Sequence, residues 1–331
     1  MKIVTFGEIM LRLTPPGKER LVASDAFEAC YGGAEANVAL SLAILGADAS
    51  FVTTLPHNPL GEAARNHLRR YGVKTDKILF GGNRLGVYYL EQGIDRRPSR
   101  VVYDRKGSSF AEADPDGYDW ESILAGADYF HLSGITPALS KACFAATLSA
   151  LKAAKKQGVT VSFDPNYRAA LWSVEDAAKA MDEILPYVDI LMTNENQAAE
   201  LFAFAVDPCD EGYQTLAKAL YDRYALKAVA LTERRTFSAN VNSIAAKLYD
   251  GKEFVSSPTY KMDILDRVGG GDAFAAGLLY ALASNMPAQK TVEFAAAASC
   301  LAHSIKGDAS LATKDEILSL ANGNMNGRTK R

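Results

Sequence analysis

The chain has 331 residues, 48% hydrophobic and 23% charged, which is enough for a sizeable buried core. Its formal net charge of −3 leaves no electrostatic footprint for nucleic acid, and no apolar run approaches the roughly 18–20 residues of a membrane span. Four scattered cysteines (Cys30, Cys143, Cys209, Cys300) and four histidines (His57, His67, His131, His303) show no metal-ligand spacing, which predicts free thiols in a reducing cytoplasm.

From the N-terminus, Met-Lys-Ile-Val-Thr-Phe-Gly-Glu reads as a strand over 2–11 with an acid at Glu8, not as a signal peptide. Further strands are predicted at 49–55, 128–133, 159–164, 188–193 and 227–232. Helices are predicted at 34–45, 60–71, 138–157, 174–185, 195–204, 211–224, 272–284 and 288–305. This alternation predicts an α/β domain whose mostly parallel sheet has helices on both faces. Strands 159–164 and 188–193 end in Asp164-Pro165-Asn166 and Asn194-Glu195. Polar residues at the carboxyl ends of strands are where open α/β sheets place ligands.

Two stretches interrupt the alternation. Residues 12–31 carry no convincing helix, and 84–110 hold two strand-like runs joined by a loop with Gly93 and Pro98. Together they predict a small separate β-sheet that can act as a lid and exclude water from a reactive phosphate. The expected division is a main α/β domain over 1–11, 32–83 and 111–321, a β lid over 12–31 and 84–110, and a polar tail over 322–331.

The most informative run is Gly269-Gly270-Gly271-Asp272, leading into an Ala-rich helix. Glycines at a helix start expose N–H groups that bind anions. An aspartate there repels an anion, unless it handles a proton beside a phosphate as a general base does. The plainer alternative is a tight turn with Asp272 as N-cap. A dinucleotide fingerprint fails because Phe274 stands where its third glycine belongs, and no P-loop motif occurs.

A second glycine pair, Gly32-Gly33, opens a helix with Asn37 one turn on, suited either to close packing or to a polyhydroxy ligand. In the hairpin, Tyr88/Tyr89 and Tyr103/Arg105 offer phenols and a guanidinium that suit a carboxylate with hydroxyls, or an exposed cation–π pair. Arg168, after Asp164-Pro165-Asn166-Tyr167, is a second cation or part of a solvated turn. Gly307 in Lys306-Gly307-Asp308 reads as the C-cap of the helix 288–305. Gly107-Ser108-Ser109-Phe110 lacks the last glycine of a nucleophile elbow, which argues against serine hydrolysis.

In their order along the chain, Gly7-Glu8, Gly32-Gly33-Ala34-Glu35-Ala36-Asn37 and Asp266-Arg267-Val268-Gly269-Gly270-Gly271-Asp272 resemble the PfkB, or ribokinase-like, carbohydrate kinases. The last two of these, with Tyr103-Asp104-Arg105-Lys106-Gly107-Ser108 and Asn166-Tyr167-Arg168, resemble the 2-keto-3-deoxygluconate kinase branch. The resemblance implies a three-layer αβα sandwich with a small β-sheet lid. It implies that Gly33, Asn37, Tyr88, Tyr103, Arg105, Arg168 and Asp308 contact a sugar acid. Asp272 would be the base and the Gly269–Gly271 backbone the anion hole. ATP with Mg²⁺ would be the donor, with a monovalent cation as a further candidate. The exposed edges of a lid sheet separately predict a homo-oligomer through the lid.

The sequence departs from that pattern in two places. Gln197 stands where the family's Asn-x-x-Glu segment has its glutamate, with Glu195 and Glu200 as nearby acids. This leaves the metal ligands unassigned. The glycine-containing nucleotide loop is replaced by Leu231-Thr232-Glu233-Arg234-Arg235-Thr236, so Thr232 and Arg234 side chains would have to reach the phosphates. The expected activity is ATP-dependent phosphorylation of the terminal hydroxyl of a sugar acid. The alternatives are a neutral-sugar kinase, for example of fructose, or a weakly active sugar-binding protein on the same fold.

Overall fold

The computed structural model describes residues 1–324, so the last part of the tail expected over 322–331 lies outside the described residues. In chain order the strands are β1 (Lys2–Phe6), β2 (Met10–Thr14), β3 (Glu28–Gly32), β4 (Asp48–Val52), β5 (Thr54–Leu55), β6 (Leu79–Phe80), β7 (Val87–Glu91) and β8 (Arg100–Asp104). They continue with β9 (Tyr129–Ser133), β10 (Thr160–Asp164), β11 (Ile190–Thr193), β12 (Ala228–Thr236), β13 (Val241–Tyr249), β14 (Phe254–Ser256) and β15 (Tyr260–Asp263). The helices are α1 (Ala34–Ile44), α2 (Pro59–Arg70), α3 (Trp120–Leu124), α4 (Ile135–Ala138), α5 (Lys141–Gln157) and α6 (Val174–Ile184). They continue with α7 (Glu195–Phe202), α8 (Asp210–Tyr224), α9 (Gly270–Ala283), α10 (Ala288–Ala302) and α11 (Lys314–Ala321).

The main sheet runs β14-β13-β12-β11-β10-β9-β1-β4, with β15 also paired to β13. Its pairings from β4 across to β12 are parallel, and those of β13 are antiparallel. Parallel strands buried on both faces need apolar side chains on both faces. Phe6, Phe130, Phe163 and Leu191 accordingly pack on one side with Leu151, Met181 and Leu220 from α5, α6 and α8. Ile3, Ile190 and Ala230 pack on the other with Leu42, Leu278 and Phe294 from α1, α9 and α10. These two cores on either side of the sheet make a three-layer αβα sandwich, the architecture that the resemblance implies.

A second sheet has the order β3-β2-β7-β8. Its register lines up Cys30, Arg12, Tyr88 and Tyr103 in one cross-strand row. β8 is exposed along its whole length and forms an edge. The loop after β7 touches the main sheet's last hairpin: the Asp95 N–H donates to Asn240 Oδ1 at 2.9 Å, and the Ala239 N–H donates to the Asp95 carbonyl at 2.8 Å.

Several expected elements differ in extent. The strand expected over 2–11 breaks between Phe6 and Met10, and its second half joins the small sheet. The helix expected over 138–157 divides because Ser140, extended and capping the Cys143 N–H, starts α5 afresh. The helix expected over 288–305 ends at Ala302, with His303 as C-cap, so Gly307 belongs to a later turn. The strand expected over 227–232 runs on to Thr236 and turns back as β13, which is buried through Asn242–Leu248 and so shows no alternation. Among the described residues, no helix is long and apolar enough to cross a membrane.

Candidate active site

A cavity of about 570 Å³ lies beyond the carboxyl ends of the parallel strands, beneath the small sheet. That volume suits a small-molecule site, and the position is the one open α/β sheets use. The residues that the resemblance assigns to sugar, phosphate and base line it, whereas Tyr89 does not. Gly33, Asn37, Tyr88, Tyr103, Arg105, Arg168 and Asp308 surround the part next to the small sheet. Thr232, Arg234, Gly269, Gly270 and Gly271 line the wall that meets Asp272.

The turn before α9 explains its three glycines. Gly269 is the N-cap, with φ at +83°, and a Cβ there would stand 1.6 Å from the Asp308 carbonyl oxygen. No side chain caps this helix, so its first N–H groups face the cavity unclaimed by an intrahelical acceptor. Asp272 is the third residue of the helix and therefore not the N-cap. At the other helix start, the Gly33 backbone passes so close to β1's exit that a Cβ would meet the Glu8 carbonyl oxygen at 1.9 Å.

Asn37 connects the two helix starts. Its Nδ2 donates to Asp272 Oδ2 at 2.7 Å, and its Oδ1 accepts from the Gly33 N–H at 3.3 Å. Burial pushes the Asp272 carboxyl up to about 7; the Asn37 hydrogen bond opposes this, while the charges of Asp164, Glu35 and Asp308 add to it. Asp164 is pushed up to about 6, again chiefly by burial. Glu35 is fully buried and accepts from the Ser133 N–H, Ser133 Oγ and Thr136 Oγ1.

Of the four arginines lining the cavity, only Arg105 has a carboxylate partner among the described residues. It pairs with Glu8 and lies 5.6 Å from the Tyr103 ring. Its charge is thus already compensated, and Glu8 Oε1 remains buried without a partner. Arg168 donates only to the carbonyls of Tyr167 (2.9 Å) and Asn166 (3.4 Å). Arg234 donates to His303, and Arg267 lines the same wall. Three guanidiniums without carboxylate partners beside an uncapped helix start make a site for a polyanion.

The same surroundings bear on a metal. Gln197 lines the cavity, but its Oε1 accepts from Thr193 Oγ1 at 3.3 Å, and Asn194 caps its own helix. Neither Glu195 nor Glu200 lines the cavity. Among the described residues no cluster of three His, Cys, Asp or Glu could hold a metal ion. The residues present therefore fit a Mg²⁺ that arrives on the nucleotide's phosphates better than a protein-caged ion.

Sequence reasoning missed the support beneath Asp308. Arg12, 2% exposed, donates to Asp308 Oδ1 at 2.5 Å and to Asp266 Oδ2 at 2.6 Å. Burial opposes the Arg12 charge, but Asp308 and Asp266 outweigh it and hold its pKa above the usual value. The Tyr88 hydroxyl also donates to Asp308. Asp266 in turn accepts from the N–H groups of Val268 (3.4 Å) and Gly307 (3.2 Å). One buried guanidinium from the small sheet so fixes both segments that shape the turn at Gly269. The signal was present: Met10, Arg12 and Thr14 alternate onto one buried strand face, and a charge on such a face calls for partners.

Residues 1–314 match the pfkB family carbohydrate kinase description. The chain is 35% identical over 316 residues to the 2-dehydro-3-deoxygalactonokinase of Haloferax volcanii, covering 96% of this chain and 95% of that protein. It is 28% identical over 333 residues to fructokinase-1 of Oryza sativa subsp. japonica, covering 96% and 97%. The crystal structure of the Thermotoga maritima 2-dehydro-3-deoxygluconokinase superposes with a TM-score of 0.95 at 49% identity, covering 98% of this chain and 100% of that one.

The clamp under the cavity carries a stability expectation. Arg12→Ala leaves two carboxylates buried without their cation and should lower the unfolding free energy by about 3–5 kcal/mol. Urea unfolding at neutral pH measures it; a loss below about 1 kcal/mol would show that the clamp holds nothing.

Proposed function

The chain belongs to the pfkB family of carbohydrate kinases, and on that footing we propose that it transfers the γ-phosphate of ATP to the terminal hydroxyl of a small sugar acid. The sugar acid of this reading is 2-keto-3-deoxygluconate, and the product is its 6-phosphate. The observation that carries the reading is the cavity's charge: three arginines without carboxylate partners line the same cavity as Asp272 and the start of α9. A neutral sugar gives the guanidinium at Arg168 nothing to hold, whereas a carboxylate does.

In this mechanism the sugar acid lies among Gly33, Tyr88, Tyr103, Arg105, Arg168 and Asp308, with its carboxylate towards Arg168. The polyphosphate lies along Thr232, Arg234 and the Gly269–Gly271 turn. The sugar's terminal hydroxyl gives its proton to Asp272 as its oxygen attacks the γ-phosphorus in line, and ADP leaves. Asn37 holds the receiving carboxylate in place through its 2.7 Å bond. A pKa of about 7 suits a group that must be free of its proton yet able to accept one near neutrality. The helix dipole and the N–H groups of the turn stabilise charge on the phosphoryl group in flight. Mg²⁺, bound through the phosphates, would neutralise part of that charge.

The small sheet acts as a lid in this reading. The unpaired thiols and the chemistry of the substrates fit a protein of the cytoplasm. The Arg105–Glu8 pair favours one competing reading, a kinase of neutral sugars, because it withdraws one of the two cations expected to meet a carboxylate.

A panel of keto-deoxy sugar acids, including the galactonate epimer, with aldonates and ketoses tests the assignment by ADP release. Turnover of a keto-deoxy acid is expected. Turnover of fructose alone would replace the reading with the neutral-sugar kinase, and no turnover at all would favour a binding protein. Asp272→Asn should lower kcat by about 10²–10⁴-fold while leaving the sugar acid's Kd near wild type. Wild-type kcat/KM should climb with pH to about 7 and then level off. Near-normal turnover by the variant would remove Asp272 as base.

The exposed edge of β8 supports pairing of two copies through the small sheet. Sedimentation should give a mass of about twice the 35.6 kDa of one chain; a monomer at micromolar concentration would contradict it.

A further inference from the structure

Arg234 is held differently from Arg12 and Arg105, the other arginines around this cavity with a side-chain partner. Arg12 is met by two carboxylates and Arg105 by Glu8, so each loses its net charge to a partner. Arg234 Nη2 instead donates to Nε2 of His303 at 2.6 Å. A guanidinium can only donate, so Nε2 must carry the lone pair and the ring proton must sit on Nδ1. There it meets an acceptor, the Ser299 carbonyl at 2.7 Å. Burial, with the Arg234 charge beside it, pushes the His303 ring down to about 4, so the neutral tautomer persists.

The ring is fixed on every side. A Cβ on Gly270 would lie 2.2 Å from its Cε1, so it rests directly against the anion-binding turn. The His303 carbonyl accepts from the Leu265 N–H at 2.8 Å and the Asp266 N–H at 3.3 Å. Ser299 Oγ donates to the Gly270 carbonyl at 2.8 Å. These contacts join the end of α10, the turn and the Arg234 guanidinium in one rigid unit.

We propose that His303 is a positioning residue for the phosphoryl donor: it aims Arg234 at the polyphosphate through a neutral acceptor that leaves the guanidinium's full charge free. A carboxylate in this place would fix the same geometry but cancel the charge. The device makes up for the missing glycines of the Leu231–Thr236 segment, where backbone cannot wrap the phosphates and a side-chain cation must reach them. The inference rests on the reading of Arg234 as a nucleotide ligand.

The test measures binding of the non-hydrolysable ATP analogue AMP-PNP by calorimetry, so it does not depend on which sugar turns over. Arg234→Met should weaken AMP-PNP by about tenfold or more, the scale of one charged hydrogen bond. His303→Glu, which offers a charged acceptor, should weaken it comparably while leaving the sugar acid's Kd unchanged. His303→Leu, of similar volume and uncharged, should weaken AMP-PNP in the wild-type background and add nothing in the Arg234→Met background. A purely structural role would weaken binding in both backgrounds and overturn the inference. Wild-type binding by both His303 variants, with Arg234→Met defective, would overturn it and leave Arg234's role intact. Normal binding by Arg234→Met would overturn the reading beneath it as well. Should His303→Glu not fold, the His303→Leu cycle decides alone.

Discussion

Asp272 stands in the first turn of α9, where the unclaimed N–H groups of Gly270 and Gly271 favour negative charge. It is also half-buried, and it shares the cavity with four other carboxylates: Glu8, Glu35, Asp164 and Asp308. These influences oppose one another, and desolvation is the largest. The carboxyl therefore holds a proton affinity near neutrality, far above that of an aspartate in water. Much of the surrounding structure serves to keep it there. Gly33 and Gly269 let backbone segments approach more closely than a Cβ would allow, and Asn37 donates to one Asp272 oxygen.

The excess of acids around Asp272 would be costly without counter-charge placed with care. Arg12 pairs with Asp308 and Asp266 from below and offsets part of their charge, and Arg105 pairs with Glu8 from the side. Once those pairs are made, the cavity keeps three cations for ligands: Arg168 near the small sheet, and Arg234 with Arg267 near α9. Small-sheet residues thereby set both the shape of the turn and the charge balance over it. The sheet's contacts with Asn240 and Ala239 extend the same coupling to the hairpin that carries Arg234.

The parts of the fold legible in the sequence were those with regular patterning. The parallel strands and their covering helices announced themselves by alternation, and the glycine turns by a need for backbone approach that side chains forbid. β13 escaped because a strand buried on both faces has no period. At the site, Asp272 and the glycines were readable because the local chemistry is contradictory without a phosphate. The partners of Arg12 and His303 and the Glu8–Arg105 pair were not, since each partner lies far away in sequence. The Arg12 link to Asp308 spans 296 residues and the Arg234 link to His303 spans 69. Only the folded chain shows that Arg105 is already compensated and that Arg168 is not.

The central claim concerns one proton, so the most direct test is to watch that proton. With ¹³C-labelled aspartate, the Asp272 carboxyl resonance, assigned by its loss in Asp272→Asn, can be followed through a pH titration of the ligand-free protein. The account predicts a midpoint near 7. A midpoint near 4, the ordinary value for a solvated aspartate, would contradict it, because desolvation would then not control the group on which the chemistry depends.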